Sequence, residues 1–301
     1  VTRIPVDGGR DGQLPRRETI ELWPAKLWPG GAVFALQCRL VQAVGVRGFA
    51  VRALSCLFAA SWLVVPGFGL IDLSVTWNAE WPQVLEAGWG LFATVIVAAA
   101  FVRVAAWPRT AMPGVAQLMV ATVSLAIAAL VAKETKLFAL VVFLGLQTAI
   151  VGAVLGVGRL TRAEPDGARS RSPRLLLVVA AAGAVPWLSY ALHMWTLNRE
   201  GRSDGDVSLG IDHYSVQGAL ALVLVLLPVS AALRADLRPF VAVCAGVAAS
   251  YLGLVSLAWP DAAGALGRAW SVAALAWGLA LVAATFCDGF RLASLRGRPA
   301  D

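Results

Sequence analysis

His193 and His213 are the only imidazoles in this 301-residue chain, and each lies within reach in sequence of carboxylates. An imidazole beside a carboxylate can pass a proton near neutral pH or hold a cation. Asp72 closes the run Pro66-Gly67-Phe68-Gly69-Leu70-Ile71, whose proline and glycines oppose a regular helix. Irregular backbone of this kind, if placed at membrane depth, must be buried in protein or line a polar cavity. Glu86 stands at the head of the next apolar run. His193 shares a helical face with Ser189 and Thr196, with Pro186 one turn before Ser189. Asp212 and His213 precede Tyr214 and Gln217 at the start of a later apolar run. A carboxylate in that position caps free N–H groups and is favoured by the helix dipole.

Asp72, Glu86, His193, Asp212 and His213 are therefore the candidate ligand- or proton-binding residues. Each also has a purely structural reading: a capping carboxylate, a loop contact, or a packed ring. No metal is assigned; if one were bound, His193, Asp212 and His213 are the side chains that would supply ligands. Asp204, Asp206 and Ser208 imitate the opening of a calcium loop. The pattern fails at its sixth position, Leu209, and at its twelfth, Ser215. The chain has no His-Glu-x-x-His helix, no Gly-x-Ser-x-Gly turn and no phosphate-binding loop, so no catalytic residue is assigned and no cofactor is expected. Cys38, Cys56, Cys244 and Cys287 lack the paired spacing of a zinc or redox motif and read as small buried hydrophobes.

The elements that must position these residues are set by solvent. Hydrophobic residues make up 59% of the chain and charged residues only 14%, too little charge to cover a water-soluble fold of this size. A helix crossing a bilayer needs about 20 apolar residues. Eight runs qualify: 53–71, 87–102 (extended past Arg103 to Trp107), 110–132, 137–158, 175–198, 214–233, 239–260 and 269–287. They are apolar on every face, unlike the short alternating strands of a membrane barrel. The fold class expected is an all-α polytopic transmembrane bundle of about eight spanning helices.

Sorting the lysines and arginines by connection puts 20 of the 25 on one side, including the N-terminal eight and the five from Arg159 to Arg174. The basic side stays in the cytoplasm, which predicts both termini inside, a plasma-membrane location and an outward-facing polar cluster. The net charge of +7 is then a topology signal, and nucleic acid is excluded as a partner. Trp77, Trp81, Trp89, Trp195, Trp259 and Trp270 fall near the outer helix ends, whereas Trp62, Trp187 and Trp277 sit mid-span as packing residues.

Residues 1–50 read as a cytoplasmic segment, disordered or partly interfacial, 51–290 as the transmembrane domain and 291–301 as a short cytoplasmic tail. Small-residue pairs mark close helix approaches: Gly152 with Gly156, Gly246 with Ser250, and the row Ala276, Ala280, Ala284. Gln147, deep in the fourth run, is expected to hydrogen-bond across helices.

The segments Pro66–Leu73, Glu86–Gly90 and Gly210–Gly218 resemble multi-pass membrane proteins of high-GC bacteria. That resemblance covers roughly residues 50 to 290 and implies the membrane fold without an activity. Three function classes follow, in order: a small-molecule or ion transporter with an outward-facing polar site, a membrane-embedded enzyme acting on a lipid-linked substrate at the outer face, and a noncatalytic subunit of a membrane complex. The partners expected are the lipid bilayer and other membrane proteins or further copies of the chain.

Overall fold

The computed structural model describes the backbone of residues 30–156, 174–202 and 207–296, and the side chains of 45–156, 174–202 and 208–286. Residues 157–173 of the arginine-rich connection, the Asp204 and Asp206 pair, and the side chains of Cys38 and Cys287 lie outside what is described. Contacts divide the chain between Gly45 and Val46, and the second unit carries the architecture discussed below.

Nine helices occur among the described residues: α1 (Gly30–Leu63), α2 (Gly69–Val75), α3 (Gln83–Ala106), α4 (Met112–Ala132), α5 (Leu137–Leu155), α6 (Arg174–Arg199), α7 (His213–Leu233), α8 (Arg238–Ala258) and α9 (Arg268–Arg296). All except the short α2 contribute a segment long and apolar enough to cross a membrane, eight in total. The chain is thus an all-helical multi-pass membrane protein. A two-residue ladder, Val207–Ser208 against Ile211–Asp212, is the one strand pairing among the described residues. The backbone before residue 50 is already helical from Gly30, and the first helix ends at Leu63, eight residues before the end of its apolar run. The displacement arises at Pro66 and Gly67, where the helix stops.

The stop is built from its residues. Pro66 has no N–H to continue the ladder, and its peptide bond with Val65 is cis. A Cβ on Gly67 would lie 2.5 Å from the Trp62 Cα, so only glycine fits. The carbonyl of Gly67 accepts a hydrogen bond from Trp89 Nε1 at 2.8 Å, which supplies the partner that lipid cannot. From there α2 lies against α3, where a Cβ on Gly90 would meet the Leu73 nitrogen at 2.9 Å.

Helices α3 and α7 are the most enclosed of the spans and form the centre of the bundle. Phe92–Ala98 of α3 winds as π-helix, and Gln117 on α4 donates to the Ile96 carbonyl at 2.7 Å within that segment. Around this centre α4 packs on α5 and α7, α6 on α7, and α8 on α9. Gln147 on α5 accepts from Trp62 Nε1 at 2.7 Å and donates to Ser61 Oγ at 3.3 Å, the interhelical role its depth predicts. Arg103 turns to the end of its helix, with its guanidinium carbon 4.8 Å from the Trp107 ring and a hydrogen bond to Thr110 Oγ1.

Several expectations about packing are corrected. Gly156 is a left-handed C-cap at φ 77° with open space around it, so its role is to end α5; Gly152 alone is buried there. Of the alanine row on α9 only Ala284 is buried; Ala276 and Ala280 are exposed, because the face of α9 turned to α8 is Ser271, Leu275, Gly278 and Val282. Cys56 is exposed, and Cys244 is the buried small hydrophobe expected. Trp89 and Trp195 turn inward and are almost fully enclosed, while Trp77, Trp81 and Trp270 remain exposed.

Candidate functional site

The five candidate residues lie in two settings. Asp72 on α2, Glu86 in the first turn of α3 and His213 at the start of α7 are all buried, at 5%, 3% and 1% exposure. The His213 ring stacks on Trp89, one turn along α3 from Glu86, with centroids 4.8 Å apart and planes at 23°. None of Asp72, Glu86, Asp212 or His213 is without a partner. Ionisable side chains enclosed at the head of two membrane spans persist only when paired, since a lone charge in such surroundings neutralises or is expelled.

Asp212 is half-buried and caps α7. Its backbone is extended, and its carboxylate accepts from the Tyr214 N–H at 2.9 Å, while its carbonyl accepts from Ser215 Oγ at 2.8 Å. Replacing Asp212 with alanine is expected to cost about 1 kcal/mol, and Asp212→Asn to recover most of it. Thermal unfolding in detergent measures both, and equal melting of the alanine variant and the wild type would remove the cap from the account.

His193 has a different setting. It is exposed on α6 and lines two neighbouring cavities, one of about 650 Å³ and one of about 470 Å³, which share His193 and Ala265. The larger lies between α6 and α9, walled by Trp187, Tyr190, Trp270 and Trp277 and floored by Gly183. From His193 to Gly183 is ten residues of helix, a depth of about 15 Å at 1.5 Å per residue, which reaches the middle of α6. The smaller cavity is lined by Thr196, Glu200, Arg202 and Tyr214 beside His193. Neither is lined by Asp72, Glu86, Asp212 or His213.

This separation answers the metal reading. Among the described residues no three of His, Cys, Asp and Glu converge as a cation site. His193 opens to a cavity, whereas His213 is covered by an indole, so His193, Asp212 and His213 do not form one ligand set.

A polar line that sequence reading overlooked runs beside the larger cavity. Gln217, one turn below His213 and fully buried, donates from Nε2 to the Tyr190 hydroxyl at 2.8 Å, and that hydroxyl donates to the Gly264 carbonyl. Gln217 fits because Gly88 faces it; a Cβ there would overlap Oε1. Tyr190 lies three residues before His193 and Gln217 four after His213, spacings that put each pair on one helix face. That was the available signal. Gly264 belongs to the α8–α9 loop, where φ of 74° suits glycine and no sequence pattern announces the contact.

No protein-family model, curated protein or solved structure matches this chain.

Proposed function

We propose that this chain is a plasma-membrane transporter for a small organic molecule, with both termini in the cytoplasm and its binding site opening outward between α6 and α9. The observation that carries this reading is the pair of cavities meeting at His193, the larger of which penetrates to mid-helix. Its volume is that of a small-molecule pocket. The orientation rests on the 20 to 5 division of basic residues, which assigns the His193 end to the outside. In this reading His193 contacts the ligand. Asp72, Glu86 and His213 are the enclosed ionisable residues that carry a proton, with Asp212 holding the head of α7 and Gln217 and Tyr190 linking α7 to the cavity wall. An enzymatic reading would want a carboxylate facing a cavity at membrane depth, and the cavity-lining carboxylate of Glu200 lies past the end of α6.

Thiol accessibility tests the proposal without knowledge of the ligand. In a background lacking the four native cysteines, Ala262→Cys at the mouth is expected to react with a membrane-impermeant reagent from outside only. Ala182→Cys on the floor of the larger cavity is expected to react in right-side-out and in inside-out vesicles, as the site opens to each side in turn. If Ala182→Cys reacts from neither side, no aqueous path exists and the transport reading fails.

A further inference from the structure

Resting on that reading, we infer that the two cavities form a single site for a single-chain amphipath with a zwitterionic head: the chain lies between α6 and α9, and the head beside Glu200 and Arg202.

The larger cavity suits an apolar chain because its wall is apolar in fact as well as in composition. Trp277 directs its indole N–H away, to the Val179 carbonyl at 2.7 Å, and the Tyr190 hydroxyl is engaged by Gln217 and Gly264. A hydrocarbon chain placed there leaves these two donors undisturbed, and burying it contributes about 0.8 kcal/mol per methylene. Small residues, Ala182, Gly183, Ala273 and Ala274, leave the space that the aromatic rings border. The two voids share His193 and Ala265 in their walls, the point at which a chain would run from one to the other.

The smaller cavity sets the head. Arg202 Nε and Glu200 Oε2 are 3.9 Å apart with side chains 69% and 55% exposed, a loose pair that separates at little cost. One cation and one anion facing the same void complement a head with opposed charges a few ångströms apart. An anionic head meets Glu200, and a cationic head meets Arg202, so each simple charge encounters repulsion as well as attraction.

The test uses the purified full-length chain in nanodiscs and amphipaths of one chain length, brominated so that binding quenches the cavity tryptophans. Lysophosphatidylcholine is expected to bind about tenfold more tightly than lysophosphatidic acid or an alkyltrimethylammonium, a discrimination of the size electrostatic mismatch produces. Arg202→Glu should shift the preference to the cationic probe, Glu200→Arg to the anionic one, and the double exchange should restore the zwitterion. Ala273→Trp should abolish quenching by all three. Equal affinity for the three heads, unchanged preference in the exchanges, or equal binding of two-chain phosphatidylcholine would overturn the inference, the last by making the groove a lipid-contact surface. The charge exchanges lie on exposed residues, so they remain readable if Ala273→Trp fails to fold. Thiol labelling from both sides requires no ligand, so the transport reading can survive while this inference fails.

Discussion

Gly278→Val is expected to destabilise the membrane domain by about 3 kcal/mol or more. Helices α8 and α9 meet backbone to backbone: a Cβ on Gly278 would lie 2.5 Å from the Gly246 carbonyl oxygen and 2.8 Å from the Ser250 nitrogen, and one on Gly246 would lie 2.7 Å from the Gly278 oxygen. Ser250 Oγ and Val282 Cγ2 lie as near and can turn aside, but these backbone atoms cannot, so the helices themselves must part. Gly253 repeats the arrangement two turns on, 2.7 Å from the Ser271 oxygen and the Leu275 nitrogen. Between lipid-facing helices close van der Waals contact supplies the attraction, and a small separation forfeits much of it. Overpacking of a tight core costs about 1–3 kcal/mol, and displacement of two whole helices belongs at or above the upper end. Gly278→Ala should lie below valine, and Gly246→Ala combined with Gly278→Ala should cost less than the separate losses together, since the first already opens the crossing. Thermal unfolding in detergent reads all of these. A valine variant that melts with the wild type would show that the helices are not in contact there.

How much of this was legible beforehand differs by level. The eight spans follow from solvent physics, and seven of them agree with the apolar runs to within a few residues at each end. The first ends early, because hydropathy is blind to a stop: Pro66 and Gly67 sit inside an apolar stretch, and although their residue types already oppose a regular helix, the contact of Gly67 with Trp62 fixes where it ends. The α8–α9 crossing was half legible. Gly246 was evident from its spacing with Ser250, but of the alanine row on α9 only Ala284 is buried, since alanine suits lipid contact as well as helix contact. At the site, the one-dimensional grouping of polar residues near one end of the bundle did not distinguish His193, on a cavity wall, from His213, stacked under Trp89. That difference is a matter of helix rotation and neighbour identity. The Asp212 cap needed neither, because capping is local and the sequence order Asp-His-Tyr already contains donor and acceptor.

Loss of the Tyr190 hydroxyl is expected to have the largest effect of any single-atom change on the cavity. Tyr190→Phe leaves the Gly264 carbonyl and the Gln217 Nε2 without their shared partner in a place that water does not readily reach, and an unmet buried polar group costs about 1–3 kcal/mol. The cost has a direction. Gly264 and Gly267 both hold left-handed conformations, so the α8–α9 loop is built from residues with wide backbone freedom and is tied down at Tyr190. Freed there, the loop moves at Ala265, the residue shared by the two cavities. Tyr190→Phe should therefore lower stability by about 2 kcal/mol and also raise the rate at which Ala182→Cys reacts from outside. Gln217→Leu removes one side of the line but leaves the tyrosine bonded to Gly264, so it should destabilise without speeding labelling. In the double variant the Gln217 donor is no longer stranded, and the two losses should sum to less than their separate values, the mark of direct coupling. Additive losses, or labelling rates that stay equal across all three variants, would mean that the hydroxyl fills space beside the loop without restraining it.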